Sequence, residues 1–242
     1  MATFRSTTDG SLFARIRRKL VEVRFRYAAF LAARRLFRPG LFEYADMYVL
    51  TLDLSGLDQA DDSGLPIKEI TAADQPYLGR LDEPQAVVLN RFAKGQRVWV
   101  YERDGRILAF DWIAGAEKTL SDWLIVGGAP GAFWGHFLKV QADCRGMGLG
   151  PKLRRHICQG YARAGYTRLL TTVDTRNRNS ISYQIKAGAQ PFGRVRFLSL
   201  LGLTLLRHGR RWRLGFWSAR RPLRIALQDT ACAGISVRAQ RR

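Results

Sequence analysis

The run Arg145-Gly146-Met147-Gly148-Leu149-Gly150 has the residue types and spacing in this 242-residue sequence that most directly permit chemistry. It follows an apolar segment ending in Val140 and precedes Pro151 and a helical pattern. Glycines at such a turn leave backbone amides uncovered at the positive end of a helix, which predicts a cradle for phosphate. They keep side chains away from the anion and take up backbone angles closed to other residues. Arg145 adds charge, and a proline at the first helical position loses no hydrogen bond. The same residues also fit a plain, tight strand-to-helix connection. Upstream of the turn, His136 is the only histidine on its predicted strand. Its free pKa near neutrality suits a base, and the alternative is a histidine packed for structure. Glu102, Asp111, Asp143 and Asp174 read as ordinary surface or loop carboxylates.

The elements that must position these groups follow from periodicity. Tyr48 to Leu54 alternates as a half-buried strand, Ile67 to Ile70 is a short strand, Thr71-Ala72-Ala73-Asp74 opens a helix, and Pro84 to Lys94 predicts another. Val98 to Glu102 and Arg106 to Phe110 flank Arg103-Asp104-Gly105, a hairpin whose Asp-Gly pair supplies the positive φ angles of a tight turn. A strand over Phe133 to Val140, a helix from Pro151 to about Gly165, a strand over Arg168 to Val173 and a helix over Asn179 to Ala187 closed by Gly188 complete the middle. Val195 to Leu206 and Arg211 to Trp217 predict a last hairpin around His208-Gly209. The resulting class is α+β, with a mixed sheet flanked by helices.

Two stretches, taken together, resemble a known family. Arg145 to Gly150 matches the R-x-x-G-x-G/A motif of GCN5-related N-acetyltransferases (GNAT), and Asn177 to Ala189 is similar to that family's N-x-x-A/S-x-x-L-Y-x-K-x-G-F stretch. The resemblance spans about 41–217 and includes the strand order. It implies a GNAT fold and an acyl-CoA-dependent N-acyltransferase, with acetyl-CoA or another acyl-CoA as donor and an amine of unknown identity as acceptor. It implies pyrophosphate on the amides of Gly146, Met147, Gly148, Leu149 and Gly150 beside Arg145, pantetheine along Leu138 and Val140, and Asn177 on the opposite wall. Family members mostly transfer the acyl group directly, which leaves Cys144 without a nucleophilic role. The family's tyrosine, which can protonate the departing thiolate, is Gln184 here. Tyr183 precedes it, about 100° round the helix, and is the candidate that remains. Ala189 replaces the phenylalanine. The second functional reading, motivated by Gln184, is a non-catalytic acyl-CoA-binding or scaffolding protein.

The formal charge of +20 is carried by the ends. Residues 1–40 hold 10 basic and 2 acidic side chains, 202–242 hold 10 and 1, and the intervening domain is near balance. Over 11–37 a helix is predicted with Phe13, Ile16, Leu20, Val23, Tyr27 and Phe30 on one stripe among arginines. Such a helix suits an anionic membrane surface, or packing on the domain or on a second subunit. Residues 1–40 thus form a basic helical segment, 41–217 the domain, and 218–242 a basic, loosely ordered tail. No aromatic-and-basic motif of a specific nucleic-acid reader is present. Cys144, Cys158 and Cys232 fit neither a zinc pattern nor a disulfide framework, so no metal is expected. Charges interrupt any secretory segment, the longest uncharged stretch, Trp123 to Leu138, holds too much glycine and a proline to make a membrane helix, and the expected location is cytoplasmic, at a membrane periphery under the first reading of the N-terminal helix.

Overall fold

The computed structural model describes residues 42–57, 64–74, 77, 79–209 and 211–227, so the segment expected to be helical over 11–37 lies outside the described residues. In chain order the elements are β1 (Phe42–Asp53), β2 (Ile67–Ile70), α1 (Gln85–Ala93), β3 (Arg97–Arg103), β4 (Arg106–Ala114), β5 (Glu117–Ser121), β6 (Leu124–Gly127) and β7 (Ala132–Val140). A short 3-10 turn, Ala142–Cys144, leads to α2 (Leu149–Arg163), β8 (Arg168–Asp174) and α3 (Arg178–Lys186). The chain then runs through β9 (Gln190–Leu200), β10 (Leu203–His208), β11 (Arg211–Phe216) and β12 (Leu223–Ala226).

Nine strands form one sheet in the order β11-β10-β9-β1-β8-β7-β4-β3-β2. All neighbours are antiparallel except β7 and β8, which are parallel and are joined by a crossover through α2. Consecutive apolar residues on the central strands enter opposite layers, as buried strands require. Phe133 and Leu169 pack under α2, while Trp134 and Leu170 pack on the other side. Leu50 and Val173 support α3 on the α2 face. The opposite face carries α1, over Val98, Phe110 and Trp112, and a second sheet in the order β12-β6-β5.

The Asp104-Gly105 turn has the positive φ angles that the sequence requires, 50° and 72°, and it closes β3 onto β4. Three features depart from expectation. Residues 218–227 are not loosely ordered: β12 pairs in parallel with β6, and Ile225 and Leu227 are buried in the core. The last hairpin is a three-stranded meander, because Leu201 and Gly202 adopt φ of 51° and 85° and turn the chain where a continuous strand was expected. The β5–β6 pair was not expected at all; its two short strands form a hairpin that needs β12, about a hundred residues later, to complete its sheet.

Candidate functional site

The parallel pair defines the site. β7 and β8 are bonded from Ala132↔Arg168 only as far as Gly135↔Thr171. Beyond that point β7 stays with β4, through Phe137↔Trp112 to Val140↔Ala109, and β8 stays with β1, through Thr172↔Val49 to Asp174↔Met47. The sheet therefore parts into a V. Gly135 pairs with Ile113 and Phe137 with Trp112, which leaves His136 as the extra residue of a β-bulge at the point of parting. The opening is a cleft of about 280 Å³ whose lining includes His136, Leu138, Thr172, Asn177, Tyr183 and Gln184.

At the end of β7 the glycine turn meets α2. Gly146 and Gly148 have φ of 82° and 74°, and a Cβ at either would meet no atom within 4 Å, so both glycines answer to backbone angle and to open space in front of the turn. Gly148 caps α2, which begins at Leu149, two residues before the proline expected to open it. Pro151 thus takes the third helical position, still inside the first turn, where the amide it lacks would have had no helical partner. Leu149 is buried in the core beneath α2, so only its backbone faces the turn. A Cβ on Gly150 would stand 3.3 Å from Val140 Cγ2 and 3.5 Å from Leu138 Cδ2; glycine lets the helix start abut β7. Arg145 and Met147 are exposed at the mouth.

The opposite wall is α3. Asn177 caps this helix, its Oδ1 accepting from the Ser180 amide at 3.1 Å, which explains why an asparagine stands there irrespective of any ligand. Tyr183 does not point away from the cleft. It and the buried Gln184 both line it, and the Tyr183 hydroxyl comes within 3.9 Å of the place a Gly150 Cβ would occupy. That hydroxyl is buried without a partner among the described residues, and burial raises its pKa, so it is a neutral donor facing the start of α2.

Beneath the parting strands lies a charge cluster that sequence reasoning missed. Asp111, fully buried rather than a surface carboxylate, meets Arg154 of α2 at 2.5 Å, and Arg154 is itself 7% exposed. Burial pushes the Asp111 carboxyl upward, against the opposing pull of Arg154. Gly135 makes room for this pair, since a Cβ there would stand 2.5 Å from Arg154 Nη1. From the other face, the buried Lys118 of β5 donates to Thr172 Oγ1 at 2.8 Å and to the Gly135 carbonyl at 3.3 Å. It holds the two strands at the point where they separate. Burial, then Arg154, lowers its pKa to about 7. The one sequence signal was Asp111 itself, a carboxylate in the otherwise apolar run Leu108 to Ala114, which requires a buried partner.

The same surroundings alter His136. Burial, followed by Lys118, Arg91 and Lys94, lowers its pKa to about 3, and its Nδ1 has no partner among the described residues. A neutral imidazole there offers a hydrogen bond more readily than it takes up a proton. Cys144 beside the turn is buried, and burial with the adjacent Asp143 carboxylate raises its thiol pKa, which disfavours a thiolate there. Asp143 pairs with Arg106, Asp174 with Arg176, and Glu102 with Lys68 and Arg80, so these carboxylates serve ion pairs. No group of metal-ligating side chains occurs among the described residues.

A mixed sheet parting at its one parallel pair, beside a helix that opens on R-x-x-G-x-G, settles the architecture. It is a GNAT fold. Neither a family model nor a curated protein matches the sequence. Among solved structures, the chain is similar to a protein described as a GNAT-family acetyltransferase from Novosphingobium aromaticivorans, at 18% identity and a TM-score of 0.45. That match covers 64% of this chain and 65% of the other, so the present chain spans less than two thirds of that GNAT protein's length. An aminoglycoside acetyltransferase from an uncultured soil metagenomic sample, in complex with trehalose, is similar at 16% identity and a TM-score of 0.40, over 52% of this chain and 88% of its own. Aminoglycoside N-acetyltransferase AAC(6')-Iy in complex with CoA is similar at 11% identity and a TM-score of 0.41, over 50% and 89%.

Proposed function

We propose that this protein is an acyl-CoA-dependent N-acyltransferase, with acetyl-CoA the first donor to test and an amine as acceptor. The observation that carries the reading is the parted β7–β8 pair, with a glycine turn at one wall and, at the other, a tyrosine hydroxyl that has no partner among the described residues. The residues fit the donor's parts. The turn at Gly146 and Gly148, open in front and leading into the N-terminus of a 15-residue helix, suits a pyrophosphate, and Arg145 adds a cation at the mouth. Leu138 and Val140 give an apolar wall beside unpaired β7 backbone, where a pantetheine amide would find strand-like partners.

Transfer to an amine requires a neutral nitrogen to attack the thioester carbonyl carbon. The carbon–sulfur bond breaks, the thiolate leaves and takes a proton, and the ammonium formed gives one up. Tyr183 is the donor for the thiolate: it is neutral and buried, and its hydroxyl faces the start of α2. The depressed pKa of His136 suits it to orienting the acceptor through Nδ1, with proton removal left to water. Isothermal titration of acetyl-CoA and of longer acyl-CoAs tests the donor assignment, and absence of saturable binding at millimolar donor would refute it. A non-catalytic acyl-CoA-binding protein is the second reading, favoured by Gln184 at the position of the family's tyrosine. Thiol release from acetyl-CoA in the presence of a mixed amine library separates the two, because acceptor-dependent release is incompatible with a binding-only role.

A further inference from the structure

On the face that carries α2 and α3, no element among the described residues covers β9, β10 and β11. Directly paired residues of neighbouring strands stand on one face, so the registers order this surface into rows. Leu200, Leu203 and Phe216 form the first row, at the tip of the meander. Leu198, Leu205 and Leu214 form the second, and Arg196, Arg207 and Trp212 the third. The apolar rows are open to solvent, with Phe216 at 75% and Leu214 at 67% exposure. The turn that closes β9 onto β10 is Leu201-Gly202, and Leu201 is 66% exposed at a place where turns ordinarily carry polar residues. No fold requirement explains leucine there, since these side chains touch solvent instead of the core.

We infer that this tip is a docking surface for an anionic lipid bilayer. Rows two residues apart lie about 7 Å from each other, so the two apolar rows span the ~5–10 Å to which interfacial segments sink, and the third row falls at headgroup level. Arginine and tryptophan are the residues that suit that level, and here Arg207 stacks on Trp212 at 5.2 Å. Arg194 and Arg196 share the single carboxylate of Asp46, which leaves net positive charge behind the apolar rows. The segment before Phe42, with 10 basic and 2 acidic residues over 1–40, joins β1 where Phe42 pairs with Leu200, so the most basic sequence of the N-terminal half starts at the tip itself. A second copy of the chain laid on this face would set cationic rims against each other; an anionic surface neutralises them. The carboxyl end of β8 lies at the same end of the sheet, Asp174 opposite Met47, so a docked molecule turns the cleft mouth toward the bilayer.

The full chain is tested by co-flotation with vesicles of phosphatidylcholine alone and of phosphatidylcholine mixed with phosphatidylglycerol, beside the double variant L214E/F216E. The wild-type chain is expected to float with the anionic vesicles only, and the variant to lose at least about tenfold in partition with an unchanged melting temperature. Should the variant melt lower, L214S/F216S replaces it. The inference is overturned if the variant floats like wild type, which would assign binding to the basic ends alone, or if wild type floats with neither vesicle. A concentration-dependent dimer that the variant loses, without vesicle binding, would make the face a subunit interface and overturn it equally.

Discussion

One face of one sheet is used in opposite ways at its two ends. Under α2, at β4, β7 and β8, it buries an aspartate, an arginine and the room for them. Across β9, β10 and β11 it leaves leucines and a phenylalanine in solvent. Folding alone favours the reverse, because burial of charge costs and burial of apolar area stabilises. Each inversion therefore marks a place where the sequence serves something besides the core. Under α2 the ion pair ties the helix that carries the glycine turn to β4, the strand that pairs with β7.

The comparison breaks most readily at Asp111. Replacing it with alanine leaves Arg154 buried and unpaired, and denaturant unfolding should show a loss of about 3–5 kcal/mol. Leu214→Glu at the other end of the same face should change stability by less than about 0.5 kcal/mol. Equal losses would erase the distinction between the two ends. Gly135→Ala is expected to cost about 1–3 kcal/mol, since the added carbon displaces the Arg154 guanidinium.

Lys118 sharpens the comparison through pH. Its folded-state pKa is about 7, against an ordinary 10.5, so between those values the unfolded chain holds a proton that the folded chain has released. Its contribution to stability therefore rises with pH from about 7 to 10.5 and is flat and lowest below 7. Lys118→Met removes that slope. Melts of both proteins at neutral and alkaline pH should show wild type gaining on the variant as pH rises, and a pH-independent difference would contradict the account. The smallest effect on stability belongs to Tyr183→Phe, whose hydroxyl has no partner among the described residues to lose. The melt should be unchanged while kcat for acyl transfer falls about a hundredfold at constant KM.

Much of the site was readable because its parts are local. The Asp-Gly turn, the glycine turn and the asparagine cap each act over a few residues, and each carries a backbone angle or a cap bond that few other residues could supply. What escaped is non-local. Asp111 was visible as a polar residue in an apolar strand, yet nothing in the helical pattern singled out Arg154 from Arg155 as its partner. The small sheet depends on β12, and the Leu201-Gly202 turn on a leucine in a left-handed conformation, which no turn rule favours. Tyr183 and Gln184 are successive helical positions that both border the cleft, so a step of about 100° round the helix did not separate them.

The central claim, that the parted strands and the glycine turn hold an acyl-CoA, is tested most directly by titrating acetyl-CoA into the full chain and into Gly148→Val. At φ of 74° the variant carries about 1–2 kcal/mol of backbone strain but fills no occupied space, so its fold should survive, as its circular dichroism will show. Saturable binding by the wild-type chain that the folded variant has lost is the predicted result. Wild-type binding that the folded variant retains undiminished, or no binding by the wild-type chain, would contradict it.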